Sequence, residues 1–303
     1  MPVIPFITAA LVKASLQLCD SIQVEGLEHI LTAFAQGRPI LTISNHISVI
    51  DDPCAWSVAM PLRYFLDSRT TRWTLGASDI VFKNAPMRLF FNRGQVIETF
   101  RSSAHPTKAG IYQPAIDLAI KKLDQGQWMH IFPEAKVHQH PQKELLRFRW
   151  GVSRILLETK RRDVAIFPVW LEGFDDLMPL ERGFPRFIPR FFGTKLKIII
   201  GPSITSKVQP LIDSYHSKLS SGRSSASAVT TGVIVDINGN KTRPKPPYYE
   251  GDPEDLKRIR IEIAALLKGE VEALGRMSRR EQRAEGLKEG HENVNLDKEI
   301  VES

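Results

Sequence analysis

Short apolar runs alternate with segments of helical periodicity along much of this chain. The apolar runs have the length of strands and lie at residues 39–44, 128–132, 164–171 and 195–200. Between them, apolar side chains recur at intervals of three and four, most clearly in residues 27–36, 111–123 and 149–161. Strand-length runs that alternate with helices favour an α/β domain, in which helices cover a central sheet. Residues 63–66, 73–76 and 95–99 are shorter strand candidates.

The apolar content is sufficient for a sizeable core. With 42% hydrophobic residues among 303, the chain can form one large domain or two small ones. We place the α/β domain at residues 1–216, including an apolar N-terminal helix, and a flexible Ser-, Gly- and Pro-rich insertion at residues 217–250. Residues 251–303 are predicted to form a charged helical C-terminal extension with a frayed tail beyond about Ser278. Cys19 and Cys54 indicate no disulfide framework, although a single bridge stays open.

The charge is unevenly distributed along the chain. Residues 251–303 carry 13 acidic and 10 basic side chains, which leaves 31 basic and 21 acidic residues, a net of +10, in the rest. A basic body predicts an anionic partner. Nucleic acid is disfavoured, because no binding motif is present and the aromatic residues do not interleave with the basic clusters. We therefore expect the partner to be an anionic membrane surface.

Two segments are candidates for membrane contact. No apolar run reaches the roughly 20 residues that span a bilayer, and no basic segment precedes the N-terminal run at 3–12, so we expect no signal peptide. That run fits an interfacial helix and an ordinary buried helix equally. The second candidate is residues 182–197, which could equally contribute their aromatic rings to the core. Its basic residues are Arg182, Arg186, Arg190, Lys195 and Lys197, and its apolar ones are Phe184, Phe187, Ile188, Phe191 and Phe192.

A histidine and an acid five residues apart follow the first strong strand. His46 and Asp51 would not share a face of an ideal helix, since five residues turn about 140° beyond a full revolution. They can meet if the chain turns between them, and Asp52-Pro53 resembles a helix start, with Asp52 as the N-cap. A carboxylate that orients an imidazole makes it a general base for acyl transfer to an alcohol. The alternative is a surface histidine beside two capping acids.

Three further motifs accompany this pair in the order found in a known family. Residues 90–94 read Phe-Phe-Asn-Arg-Gly, residues 132–136 read Phe-Pro-Glu-Ala-Lys, and Pro168 lies within a later apolar run. This order of blocks resembles the glycerophospholipid acyltransferase family. The resemblance implies a mixed sheet flanked by helices, with His46 as the base and Asp51 as the residue that orients it. The substrate-binding residues that it implies are Arg93, Glu134, Asn45, Lys136, Pro168 and Arg88. Ala135 stands where the family usually has glycine, which would strain the chain if a positive φ is needed.

Within that family, the sequence resembles the phospholipid–lysophospholipid transacylases, in particular those of fungi. This resemblance is carried by the doubled acid Asp51-Asp52 and by residues 72–77, 148–152 and 173–175. The resemblance implies coenzyme A-independent exchange of acyl chains between phospholipids and lysophospholipids, which remodels cardiolipin. It also implies peripheral or monotopic attachment to mitochondrial membranes facing the intermembrane space, without a cofactor or metal. The sequence leaves the oligomeric state open.

Two alternatives to this function stay open. A coenzyme A-dependent lysophospholipid acyltransferase would use the same four motifs, and a non-catalytic membrane-binding scaffold would use the basic body alone. Other chemistries find little support, because the chain has no nucleophile elbow and no glycine-rich phosphate loop. His138 and His140 lie two residues apart without further ligands, which is typical of a polar loop rather than a metal site.

Overall fold

The computed structural model describes residues 2–140, 142–184, 188–222, 234–235, 241–242 and 254–301. Its strands are β1 (Ser21–Glu25), β2 (Ile40–Ser44), β3 (Thr74–Ala77), β4 (Val96–Thr99), β5 (Trp128–Ile131), β6 (Ala165–Glu172), β7 (Lys195–Ile200), β8 (Ile234–Val235) and β9 (Lys241–Thr242). Its α-helices are α1 (Val3–Leu16), α2 (Leu27–Ala35), α3 (Asp51–Ala59), α4 (Ser78–Val81), α5 (Ala85–Arg93), α6 (Pro114–Asp124), α7 (Gly151–Glu158), α8 (Phe174–Leu177), α9 (Thr205–Gly222) and α10 (Glu254–Val301).

The central sheet is mixed, with the strand order β1-β7-β6-β2-β5. Strands β6, β2 and β5 run parallel, whereas β7 runs antiparallel to β6 and parallel to β1. The carboxyl ends of the three parallel strands therefore meet at one edge of the sheet. Ile43 of β2 lies opposite Ile131 of β5, so the residues that follow these two strands leave the sheet side by side. The predicted mixed α/β fold is confirmed.

Helices cover the sheet on both faces, and alternate strand residues point to opposite sides. On one face, Ile40, Phe167 and Ile198 pack with residues of α1, α2 and α3. On the other face, side chains of β2, β5 and β6 pack with residues of α6, α7, α9 and α10. The strands are buried on both sides, which explains why their sequences read as continuous apolar runs.

The C-terminal helix is part of the core. Its apolar stripe, which includes Leu256, Ile263 and Leu267, is buried against the same face as α7 and α9. Farther along, Ser278 Oγ and Gln282 Nε2 donate hydrogen bonds of 3.1 and 2.7 Å to the buried carboxylate of Glu172. Ser278 is buried, and the helix continues to Val301. The structure thus maintains helical order past the residue where the sequence predicts fraying.

Several local predictions differ from the structure. Residues Leu62–Leu66 form a 3₁₀ helix, although residues 63–66 resemble a strand, because Pro61 and a backbone bond from Tyr64 N to Pro61 O close a tight turn there. Helix α9 runs through Gly222 and so crosses the predicted domain boundary at residue 216. Most of the predicted insertion at 217–250 lies outside the described residues. Cys19 and Cys54 are both free thiols.

The two candidate membrane segments differ in how they meet the core. Helix α1 buries Ala9 and Leu16 but exposes Val3, Ile7 and Leu11. In the second segment, Phe191 packs against the core and Lys197 pairs with Glu25 and Glu281, whereas Phe184, Ile188 and Phe192 are exposed. Arg186 and Phe187 lie outside the described residues. None of the described helices combines the length and apolar character that crossing a bilayer requires.

Two glycines of α10 provide a matched test of how this helix docks. A Cβ atom on Gly275 would lie 2.6 Å from the buried indole of Trp170, whereas one on Gly269 would meet no atom within 4 Å. Alanine gains about 0.5–1 kcal/mol over glycine in a helix interior. We therefore expect Gly269→Ala to stabilise the protein by about that amount and Gly275→Ala to destabilise it, as measured by urea unfolding. Equal stabilisation by both would contradict the docking seen here.

Candidate active site

His46 and Asp51 meet at the carboxyl edge of the parallel strands. His46 lies in the loop that follows β2, and Asp51 is the first residue of α3, so the chain turns between them. His46 Nδ1 lies 2.9 Å from Asp51 Oδ2. Because an ionised carboxylate can only accept, Nδ1 is the donor, and the lone pair of the imidazole is placed on Nε2. The His46 side chain is 20% exposed and that of Asp51 is buried, so Nε2 is the reactive atom that a substrate can reach.

One oxygen of Asp51 organises the whole turn. Besides the imidazole, Oδ2 accepts hydrogen bonds from the backbone N–H groups of Ile47 at 2.7 Å and Ser48 at 2.8 Å. Burial raises the pKa of the Asp51 carboxyl, and the hydrogen bond from His46 and the two backbone bonds oppose that rise. Oδ1 has no hydrogen-bond partner among the described residues. The carboxylate therefore depends on Oδ2 for its stabilisation.

The loop that follows β5 fixes the backbone of His46. Its N–H donates to Glu134 Oε1 at 2.9 Å, and its carbonyl accepts from His138 N at 2.8 Å. Glu134 Oε2 accepts from Leu146 N at 2.7 Å, so both carboxylate oxygens bind backbone. Burial raises the pKa of Glu134, and these two backbone bonds oppose the rise. The ring of Phe132 stacks on the imidazole with centroids 4.1 Å apart, which limits rotation of the His46 side chain.

A buried ion pair supports the start of α3. Arg72 binds both carboxylate oxygens of Asp52 and also donates to Gly94 O at 3.4 Å. Both side chains are largely buried. The pair thus ties the helix that bears Asp51 to the turn that follows Arg93. Asp52 was a cap candidate in the sequence, but the partner twenty residues away was missed, because no local pattern indicates a pairing across that distance.

A second group that sequence reasoning missed is a buried histidine behind the dyad. His130 of β5 places Nδ1 2.9 Å from Thr42 Oγ1, and Trp128 Nε1 donates to the same hydroxyl at 2.9 Å. Its ring meets Phe132 edge to face, with centroids 4.6 Å apart. Burial lowers the pKa of His130 to about 3, so this ring is neutral near pH 7. The two apolar residues on each side of His130 within residues 128–132 were the available signal.

Three residues that were predicted to bind substrate make contacts within the protein instead. The amide of Asn45 is buried and pairs with Leu171, donating to its carbonyl and accepting from its N–H at 2.8 Å each. Pro168 is buried within β6 opposite Ile43, and Ile43 lies three residues before His46. Arg88 binds Glu98 and the carbonyl of Phe82. Asn45 and Pro168 are therefore corrected to residues that support the sheet, and Arg88 is occupied by an acid of the adjacent strand β4.

Arg93 and Lys136 remain available to an anion. Arg93 is exposed at the end of α5 and has no ion-pair partner among the residues that the structure describes. Lys136 is exposed in the loop that follows Glu134. His138 and His140 have ring centroids 5.4 Å apart, but no group of three or more metal-ligating side chains exists within the described ranges. Among the predicted substrate-binding residues, Arg93 and Lys136 are thus exposed cations, and side chains of this kind bind phosphate.

Ala135 adopts the conformation that favours glycine. Its φ is +60°, in the left-handed region, which costs an alanine about 1–2 kcal/mol. We expect Ala135→Gly to stabilise the protein by about 0.5–1 kcal/mol after the extra entropy of glycine in the unfolded chain is subtracted. The matched control is Ala14→Gly, because Ala14 is exposed within helix α1, where φ is negative. Ala14→Gly should destabilise by about 0.5–1 kcal/mol in urea unfolding, and a loss at both positions would refute the strain.

His130 is expected to make the free energy of unfolding depend on pH. Its pKa of about 3 in the folded protein is below the value of about 6.5 in an unfolded chain, so the folded state binds fewer protons. Its stabilisation is therefore complete above pH 6.5 and decreases as the pH falls. Between pH 7 and pH 5 the loss from this group is about 2 kcal/mol.

The measurement is the free energy of unfolding at the two pH values. His130→Gln should remove about 2 kcal/mol of that pH dependence, whatever its own stability at pH 7. His29→Gln, which changes a partly exposed histidine, should leave the wild-type dependence intact. An unchanged pH dependence in His130→Gln would contradict a buried neutral ring.

Comparison with known proteins identifies the region that forms this site. A family model described as Acyltransferase matches residues 21–172, just over half of the 303 residues. The match begins at β1 and ends at the last residue of β6. It therefore includes the dyad, Arg93 and Glu134, and it stops before β7 and α10.

Relatives among characterised proteins fall into two kinds. The chain is 41% identical over 155 residues to a tafazzin of Drosophila melanogaster, which is 51% of this chain and 38% of that protein. It is 41% identical over 170 residues to a tafazzin of Dictyostelium discoideum, 55% of each chain. An N-acylphosphatidylethanolamine synthase of Arabidopsis thaliana is 30% identical over 210 residues, 68% of this chain and 70% of that one.

The matches to the two tafazzins and to the family model differ in how much of each protein they cover. The chain spans between about two fifths and just over half of the length of these two tafazzins. The family model, by contrast, includes the whole of the segment that brings His46, Asp51 and Glu134 together. The chain belongs to the acyltransferase family.

Proposed function

We propose that this protein transfers acyl chains between phospholipids and lysophospholipids without coenzyme A. The observation on which the proposal rests is the His46–Asp51 dyad at the carboxyl edge of the sheet, in which Nδ1 is bonded to the buried carboxylate and the His46 side chain is 20% exposed. The identity to two tafazzins and the resemblance of the motifs to the phospholipid–lysophospholipid transacylases support the choice of reaction.

The reaction proceeds through one tetrahedral intermediate. His46 Nε2 takes the proton from the free glycerol hydroxyl of the lysophospholipid, and the oxygen attacks the ester carbonyl of a second phospholipid. Collapse of the intermediate breaks the donor's ester bond, and the imidazolium returns the proton to the departing alkoxide. Asp51 stabilises the imidazolium between these two steps. The products are a newly acylated phospholipid and a new lysophospholipid, so protons and acyl groups balance.

Arg93 and Lys136 are proposed to bind the phosphate of the acceptor. A guanidinium matches phosphate oxygens in geometry as well as charge, and both side chains are exposed near the segments that fix His46. Glu134 acts differently from the expected substrate ligand, because its two oxygens bind backbone N–H groups. We assign it to positioning the histidine loop.

Cardiolipin is the phospholipid that we propose is remodelled by this exchange. The proposed location is mitochondrial membranes facing the intermembrane space. Both come from the resemblance to the transacylases. The net charge of +10 outside residues 251–303 supports attachment to an anionic surface, as a peripheral or monotopic protein.

A second candidate acceptor is the amine of phosphatidylethanolamine. It is favoured by the identity to an N-acylphosphatidylethanolamine synthase, which extends over 68% of this chain. The same base could take a proton from an amine instead of a hydroxyl. Incubating purified protein with a labelled donor phospholipid and either lysophospholipid or phosphatidylethanolamine separates the two acceptors. Parallel reactions with acyl-coenzyme A test the coenzyme A-dependent alternative, and no transfer under any condition would favour the scaffold.

The dyad yields the central prediction. His46→Ala removes the base and Asp51→Asn removes the charge that orients it, so each should lower the transfer rate by about 10²–10⁴-fold. His29→Ala, at a partly exposed position in α2 outside the site, should retain wild-type transfer. Circular dichroism should show that all three variants are folded. A folded His46→Ala protein with full activity would refute the mechanism.

A further inference from the structure

An exposed apolar set recurs with a spacing of four residues in the segment that follows α8. Phe184 is 94% exposed, Phe192 is 80% exposed, and Leu180 and Ile188 are about half exposed. Arg182 and Arg190 lie midway between successive members of this set. The described residues 179–184 and 188–192 are not helical, so these four side chains do not lie on the face of a helix. Large aromatic side chains with this exposure are unusual for a protein surface in water.

This segment is hydrogen-bonded to the histidine loop through one glutamine. Gln139 Nε2 donates to Ile47 O at 2.7 Å, and Gln139 Oε1 accepts from Leu180 N at 2.8 Å. Ser48 Oγ also donates to Met178 O at 3.3 Å. Val49, in the same histidine loop, is 51% exposed. The start of the segment that carries the exposed apolar set is therefore bonded to the loop that carries His46.

The composition of this surface fits a lipid leaflet. Apolar side chains can enter the acyl region while arginines between them meet phosphate groups at the surface. The esters that the proposed reaction cleaves lie just below the phosphates, at the depth that such a surface would reach. A protein partner would not explain why the set is attached to the catalytic loop.

We propose that Val49, Leu180, Phe184, Ile188 and Phe192 form a docking rim that inserts into an anionic phospholipid leaflet and brings His46 to the level of the esters. The inference rests on the proposed function, since it assumes that the substrates are membrane lipids. Gln139 is the joint between the two parts of the rim. Docking through the rim therefore positions the histidine loop as well as the protein.

The test compares the rim with other exposed apolar residues. The double variant Phe184→Glu/Phe192→Glu places charges at two exposed rim positions, and Leu118→Glu/Ile261→Glu does so at exposed positions on α6 and α10. Flotation with phosphatidylcholine vesicles, with and without phosphatidylglycerol, measures docking. We expect binding by the rim variant to fall at least about tenfold, because each phenyl ring removed from an apolar phase costs about one order of magnitude. The control variant should bind like wild type.

A second readout locates the defect. On vesicles the rim variant should lose acyl transfer in parallel with binding, whereas on short-chain lipids below their micelle concentration it should stay within about twofold of wild type, since no docking is needed. Equal loss on both substrates would overturn the rim as a docking surface, as would undiminished flotation. A change of oligomeric state in the rim variant, measured by light scattering, would mean that a second copy covers this surface. If the wild-type protein transfers no acyl chain on either vesicles or short-chain lipids, the proposed function fails. Flotation then still decides whether the rim binds lipid.

Discussion

The hydrogen bonds to one carboxylate oxygen determine the geometry of the site. Asp51 Oδ2 accepts from the imidazole of His46 and from two consecutive backbone N–H groups, and so it closes the turn between β2 and α3. The same atom selects the tautomer that leaves Nε2 free. Glu134 and His138, which both lie in the loop after β5, then bind the backbone N–H and carbonyl of His46, so that this residue is fixed from two segments, α3 and that loop.

The sequence was informative wherever a structural cause was local. The dyad needs a turn of five residues, and the break in the apolar run before His46 and the proline after Asp52 both indicated it. The core strands were readable because burial on both faces removes polar side chains from them. The conformation of Ala135 was also anticipated, because a residue that replaces a usual glycine has to adopt the same positive φ.

The remaining features depend on contacts between distant segments. Nothing near Arg72 indicates that it binds Asp52, because the pairing exists only once β3 lies beside α3. Glu134 and Asn45 were assigned to substrate from their motifs, but a motif does not reveal whether a polar side chain turns toward a cleft or toward the backbone. The packing of α10 against the sheet was unexpected, because its charged sequence reads as an extension rather than as part of the core.

The docking of α10 has a consequence for the order in which the chain is made. Trp170 and Glu172 belong to the strand that ends the acyltransferase match, yet the residues that cover them come more than a hundred positions later. During synthesis, the sheet that carries the site emerges first, with an apolar face that α10 has yet to cover. Until that helix emerges, the nascent chain exposes a hydrophobic surface prone to aggregation, and chaperones would recognise it.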